Sequence, residues 1–454
     1  MKTPQTLFCE RVLLPEGWAS DVMIGIDDGG MIVSIQPGRT RDADSMLAAG
    51  HVVPALQNLH SHAFQRAMAG LAEKAGSTDD SFWTWREIMY RFLDRLTPED
   101  VAAITAQAYA EMLEGGFTRV GEFHYLHHDP AGATYADRAE MAGAIVEASA
   151  ATGIGLTLLP VFYAHGNFGG AGPSRGQRRF LNDIDGFAAL LDASRAKLAG
   201  DAHIGIAPHS LRAVGPDQLA ALLAMAPTGP VHIHAAEQEK EVADCVAWSG
   251  ARPVTWLLDN AAVDARWCLI HSTHLVADEV TRLAASGAVA GLCPITEANL
   301  GDGIFPAIDY LAAGGRFGIG TDSNILIDAA GELRALEYSQ RLAQRARALL
   351  ADEAAPFVGA NLFGRAVQGG AQALGVLAGL ATGHAADIVS LDLDHPSFAG
   401  ADDATLLDRW IFAARGGAID CVWRSGLKRV EKGRHVAADT IAAAYRNCLD
   451  RLLA

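Results

Sequence analysis

Up to His51, apolar residues come in short runs broken by turn residues. From Thr97 onward, strand-length apolar runs take turns with Ala-rich stretches of helical period. Val22–Ile26 and Met31–Ile35 read as two strands. Asp27-Asp28-Gly29-Gly30 between them is a turn in which glycine supplies positive φ. The stretch from Ser81 to Arg95 holds Phe82, Trp83, Trp85, Arg86, Tyr90, Arg91 and Phe92, and reads as an amphipathic helix with its aromatics turned to the core. A helix over Pro98–Glu114 follows, with Thr97 as N-cap and Gly115-Gly116 as its stop. Strands are then expected over 118–123, 155–162, 203–207, 231–235, 267–270, 288–293 and 317–320. Helices are expected over 137–152, 187–198, 216–225, 239–249 and 277–285, and Tyr310–Ala313 ends another.

A strand–helix rhythm sustained over roughly 300 residues implies parallel strands with crossover helices. Eight such units close into a (β/α)8 barrel, with chemistry on the loops after the strands. A doubly wound open sheet is the rival, but it does not account for polar residues after so many different strands: His60, His62, Tyr125, His209, His234, His271 and Asp322. Beyond Ala373, β character returns over 383–392 and 416–430, and Thr440–Leu453 reads as a closing helix. The expected fold is therefore α/β. A (β/α)8 TIM-like barrel at 57–373 is inserted into a small split β-sandwich domain made of 1–56 and 374–435, with a C-terminal helix at 436–454. The Gly-rich segment Gly166–Gly176 is expected to be a mobile loop.

Composition narrows the function class. Half of the 454 residues are hydrophobic and the net charge is −17. An acidic surface repels phosphate, so nucleic acid and anionic membrane are not expected partners. No apolar run approaches a membrane span, and Met1-Lys2-Thr3-Pro4 lacks the apolar stretch of a signal peptide. Cys9, Cys245, Cys268, Cys293, Cys421 and Cys448 form no CxxC pair, which suits reduced thiols in a cytoplasmic protein.

The candidate chemistry starts at Val52-Val53-Pro54, an apolar run leading to His60-Ser61-His62. Residues i and i+2 of an extended segment share a side, so two imidazoles can meet one point. His232 and His234 share a face of a later strand by the same rule, and His234 lies nearer the barrel mouth. Asp322 ends Gly318-Ile319-Gly320-Thr321-Asp322. Three imidazoles and one carboxylate suit one divalent metal ion of the zinc type, with a position left for water; iron(II) also suits them. Glu237, three residues after His234, could shuttle protons beside the metal, and His271 could orient the attacking water. Arg86 and Arg212 are planar cations within reach of the mouth, suited to a small substrate with more than one carboxylate.

HxH after the first strand, HxxE after the fifth, His after the sixth and Thr321-Asp322-Ser323-Asn324 after the eighth resemble the amidohydrolase superfamily. Ala386-Asp387-Ile388-Val389-Ser390-Leu391-Asp392 resembles its split β-domain. The resemblance implies that His60, His62, His234 and Asp322 bind metal and that Glu237 shuttles protons. It also implies that Asp322 takes a proton from the water that His271 orients. Binuclear members bridge their metals with a strand-end lysine. Lys197 and Lys240 here lie in helical patterns, which points to a single metal and the deaminase branch.

Asn58–Arg66 and Ala207–Val214 resemble the formimidoylglutamate deiminase family of histidine degradation. That resemblance implies hydrolysis of N-formimino-L-glutamate to N-formyl-L-glutamate and ammonia. Gln65, Arg86, Tyr125, His209 and Arg212 would hold the substrate, and the chain is expected to form a homodimer. Two other readings stand beside it: a deaminase of a purine, pyrimidine or triazine ring, and a non-catalytic metal-binding scaffold.

Overall fold

The computed structural model describes residues 4–73, 82–353 and 355–454. Of the readings above, Met1–Thr3, Ser81 and the side chain of Phe82 lie outside the described residues.

Eight parallel strands form a barrel. They are Leu56–Ser61, Phe117–His124, Gly155–Phe162, a fourth in two pieces (His203–Ile204 and Ala207–Pro208), Val231–Ala235, Trp267–His271, Val289–Leu292 and Arg316–Ile319. Strands one to four pair in sequence, as do five to eight. Two single bridges, Ile206 with Val231 and Ser61 with Asp322, join the halves. The fourth strand, read from sequence as continuous, is interrupted where Ile206 turns to bond strand five.

Helix Pro98–Glu114 begins on a capping box. The Asp100 N–H donates to Thr97 Oγ1 at 3.3 Å and the Thr97 N–H donates to Asp100 Oδ2 at 3.0 Å, an arrangement that contributes about 1 kcal/mol. The aromatic stretch is helical over Phe82–Leu93. Helices Pro253–Asn260 and Pro294–Leu300 are too short for their apolar period to stand out in sequence, and the helix expected to end at Tyr310–Ala313 spans Ala307–Ala312.

Inside the barrel, one side chain fills space left by glycines. A Cβ on Gly318 would lie 2.5 Å from Leu59 Cδ2, and one on Gly291 would lie 2.9 Å from Leu59 Cδ1. Leu59 is fully buried with Cys268, Ile270 and Val289. The register between strands one and two shifts between Asn58 and Ser61, so Leu59 and His60 do not follow simple alternation.

The small domain is one eight-stranded sheet. Its N- and C-terminal parts meet where Met46–Pro54 pairs antiparallel with Ile388–Leu391. Its own core includes Leu7, Val22, Ile24, Ile388 and Trp423. Polar contacts pin it to the barrel. Asp201 accepts from both Arg119 and Arg424, and Asp387 accepts from Thr118 Oγ1 at 3.0 Å and from the Ser425 N–H at 2.7 Å. The closing helix, Ala438–Leu453, reaches helix Pro98–Glu114 through Cys448 and Asp100, and Tyr445 donates to the Arg66 carbonyl. Among the described residues no helix is long and apolar enough to cross a membrane.

Candidate active site

Four side chains converge at the C-terminal mouth of the barrel. The ligand atoms of His60, His62, His234 and Asp322 all lie within 4.8 Å of one another. Asp322 Oδ1 is 3.4 Å from His60 Nε2 and 3.3 Å from His62 Nε2, and the Nε2 atoms of His60 and His234 are 3.2 Å apart. Backbone carbonyls set which nitrogens face inward. His62 Nδ1 donates to the Phe123 carbonyl at 2.9 Å and His234 Nδ1 donates to the His209 carbonyl at 3.1 Å. Each Nδ1 thus carries the proton and each Nε2 presents a lone pair to the centre, as metal-ligating imidazoles do. Burial pushes His60 down to about 3, which keeps it neutral. For Asp322 burial acts upward, but the hydrogen bond from His60 and the neighbouring imidazoles win and hold it below the usual carboxylate range. Lone pairs and a carboxylate meeting in a buried space fit a divalent ion. His232, the alternative ligand, donates instead to the Ala373 carbonyl at 2.8 Å, deeper in the barrel.

The strands that carry these groups are clamped together. Asn58 accepts from the Thr321 N–H at 3.1 Å and donates to Thr321 Oγ1 at 2.6 Å; Asn324 accepts from Thr321 Oγ1 and donates to Ser61 Oγ. Glu122 reaches the same segment from strand two. It accepts from the Ala63 N–H at 2.8 Å and from Tyr109 OH at 3.2 Å. Ala236, His271, Ser272, Asp322 and Asn324 all adopt positive φ, from 41° to 67°. Non-glycine residues rarely do so, and their clustering here is strain stored at the mouth.

Beside the cluster, His271 Nε2 faces Glu237 Oε1 at 3.7 Å and Asp322 Oδ2 at 3.9 Å, and its Nδ1 meets Glu297 Oε1 at 3.2 Å. Burial would lower His271, but Glu237, Glu297 and Asp322 outweigh it and raise it. Burial raises Glu237 above the usual carboxylate range, against the pull of His271 and Arg212. Glu237 Oε2 is 3.8 Å from Arg212 Nη2, and Glu241 fixes the turn by accepting from the Ala236 and Glu237 N–H groups.

A cleft opens above these residues. Ten of the eleven residues singled out in sequence line it: His62, Gln65, Arg86, Tyr125, His209, Arg212, His234, Glu237, His271 and Asp322. The eleventh, His60, is fully buried beneath. Tyr163, Phe180, Met89, Tyr90, Trp85 and Leu300 complete the lining. Gln65 Nε2 donates to Tyr125 OH at 2.8 Å, and its buried Oε1 faces no donor among the described residues. The Arg86 guanidinium lies 4.6 Å from the Trp83 ring centre and that of Arg212 lies 5.8 Å from it. The Gly166–Gly176 segment is followed by Gln177, which donates to Tyr163 OH at 2.7 Å. Lys197 and Lys240 are in helices Ile184–Lys197 and Glu239–Ser249.

Sequence reasoning missed Glu122, Glu241, Glu297 and Asp302, all buried near the site. Glu122 carried one usable signal, as the one acid in strand Phe117–His124. Glu297 carried only its nearness to a strand end.

Comparison with known proteins agrees with this architecture. Residues 51–428 match the amidohydrolase family, and residues 5–48 match the N-terminal domain of formimidoylglutamate deiminase HutF. Formimidoylglutamate deiminase of Pseudomonas aeruginosa is 52% identical over 450 residues, covering 98% of this chain and 99% of that protein. The crystal structure of an amidohydrolase from Brucella melitensis superposes with a TM-score of 0.95 at 53% identity, over 99% of this chain and 100% of that one. A zinc-bound adenosine deaminase from Xanthomonas campestris shares the fold at 23% identity, with a TM-score of 0.81 over 99% and 98% of the two chains.

Proposed function

This chain belongs to the amidohydrolase family, and we propose that within it the chain hydrolyses N-formimino-L-glutamate to N-formyl-L-glutamate and ammonia, a step of histidine degradation. The observation that carries the reading is the pairing, in one cleft, of a four-ligand cluster with two guanidiniums. Arg86 and Arg212 sit around Trp83, in a protein whose net charge is −17. A dicarboxylate matches that local positive charge, and a flat neutral ring has no use for it. The 52% identity to a formimidoylglutamate deiminase supports the same choice.

His60, His62, His234 and Asp322 would hold one divalent ion, which we assign as zinc. When bound, such an ion lowers the pKa of a water and polarises the formimino carbon. His271 would orient the attacking water through Nε2, and Asp322, whose Oδ2 lies 3.9 Å from that nitrogen, would take a proton. Burial raises Glu237 to about 7, so near neutral pH it can take up a proton and give it to the leaving nitrogen. Water adds across the C=N bond, its two protons end on nitrogen, ammonia leaves and the formyl C=O forms. Arg86 and Arg212 hold the two carboxylates. Gln65, Tyr125 and His209 fill in around the glutamate backbone, with Gln65 Oε1 open to accept from a substrate N–H. The six cysteines are buried free thiols, which supports a reducing cytoplasmic setting.

The deciding experiment measures ammonia release from N-formimino-L-glutamate, guanine and cytosine, with elemental analysis of the same preparation. Release from the formimino compound by protein holding about one metal per chain is expected. Turnover of a ring alone would overturn the substrate.

A further inference from the structure

Strand seven, Val289–Leu292, leads into helix Pro294–Leu300, and that helix lines the cleft with Leu300 alone. Its first turn nevertheless faces both neighbours. Thr296 Oγ1 donates to the Thr321 carbonyl at 3.2 Å and lies 3.0 Å from Ser323 Oγ, beyond strand eight. Glu297 Oε1 reaches the other way, to His271 Nδ1 at 3.2 Å, beyond strand six. We propose that Glu297 is a positioning residue, which holds the His271 ring in the orientation that turnover requires.

Strand geometry alone does not aim His271. Ile270 pairs with His234 and packs in the barrel interior, so alternation would send His271 outward. The chain turns it in by adopting φ 67° at His271 and 51° at Ser272. A residue in that region has lost the strand's constraint on its side chain, and its ring needs an outside anchor. Glu297 is built to be one. Its Oε1 also accepts from the Cys293 N–H at 2.8 Å, and the group is buried. With Nδ1–H committed to Glu297, Nε2 must face Glu237 and Asp322. A flipped ring would present a carbon there instead.

The proposal rests on the reading of His271 as part of the reaction, and three variants test it. Glu297→Gln keeps an oxygen that accepts from both Cys293 and His271 but removes the charge. Glu297→Asp keeps the charge but falls one methylene short. Glu297→Ala removes the anchor. Each is purified, checked for folding by thermal melt and for metal by elemental analysis, then assayed for kcat and KM. The Ala and Asp variants are expected to lose kcat by about 100-fold, with KM changed less than about threefold and metal retained. The Gln variant should stay within about tenfold of wild type. Wild-type kcat in the Ala or Asp variant overturns the proposal. So does a Gln variant as impaired as Ala while Asp is active, because charge and not position would then be the requirement. If the wild type releases ammonia only from a ring, the substrate assignment falls separately, and the three variants are compared on that ring.

Discussion

The cleft has two walls that are held in different ways. On one, His60, His62, His234 and Asp322 stand at strand ends, where backbone carbonyls fix the imidazoles of His62 and His234 and the Asn58–Thr321–Asn324 network ties the first strand to the last. On the other, Arg86 rides on helix Phe82–Leu93 and lies against the faces of Trp83 and Tyr90. Directional hydrogen bonds hold the first wall in a narrow range of geometry. Cation–π contacts, worth about 0.5–2 kcal/mol each, are broad in angle and let a guanidinium follow its anion. The reacting groups tolerate little displacement, whereas a carboxylate grip tolerates more. The two walls should therefore fail differently when they are cut.

The hardest test of that contrast is Glu237→Gln. The amide keeps the shape of the strand-end wall and cannot give up a proton. Turnover is expected to fall by about 10³-fold, with metal content and KM held. An unaltered turnover number would remove Glu237 from the chemistry and favour a scaffold that merely binds metal.

The recognition wall should respond in KM. Arg212→Lys and Arg86→Lys each keep a positive charge but lose the planar fork, and kcat/KM is expected to fall about 10–100-fold, mostly through KM. Arg212 is the more buried of the two and should give the larger effect. A substrate lacking the side-chain carboxylate separates their tasks: the arginine that grips that group should lose its effect, and the other should keep it. Equal effects on both substrates would place the two guanidiniums on one carboxylate.

The same contrast explains what could be read from the sequence. The convergence of His60, His62, His234 and Asp322 was legible because candidate ligands have few chemical types and a strand end is a fixed place. The barrel was legible because its period repeats. Glu297 and Glu241 were not, since each acts through a backbone or ring that only the folded loop brings near. His271 was legible as a polar strand end, but the left-handed turn that aims it inward was not: Ile270-His271-Ser272 contains no glycine to signal it. The break in strand four was also hidden, because it comes from bonding to a neighbouring strand.

Metal removal should separate the walls by stability. An ion held by the four-residue cluster would bind only the folded chain, so stripping it with a chelator is expected to lower the melting temperature by several degrees, corresponding to about 3 kcal/mol when metal is present at 100 times its dissociation constant. Arg86→Lys should leave the melt within about 1 °C, since its contacts are worth about 1 kcal/mol or less at the rim. A melt insensitive to the chelator would mean that the four ligands hold no ion.

The smallest expected effect lies behind the first wall, at Glu122. This carboxyl accepts from the Ala63 N–H and Tyr109 OH, which favour its ionised form, yet burial dominates and pushes it from the ordinary 4.5 up to about 8. Its folded-state pKa lies above its unfolded one. The folded protein therefore keeps a proton that the unfolded chain releases between pH 4.5 and about 8. The stability due to that proton is complete below 4.5 and is lost as pH rises through about 8. Glu122→Gln has no proton to lose and can still accept from Ala63. It should unfold close to wild type at pH 5 and relatively higher at pH 8.5, so that its melting temperature falls less steeply with pH. A variant destabilised by the same amount at both pH values would mean that Glu122 is a carboxylate in the folded protein. The brace behind His60-Ser61-His62 would then depend on charge, as the recognition wall does, and not on hydrogen-bond direction alone.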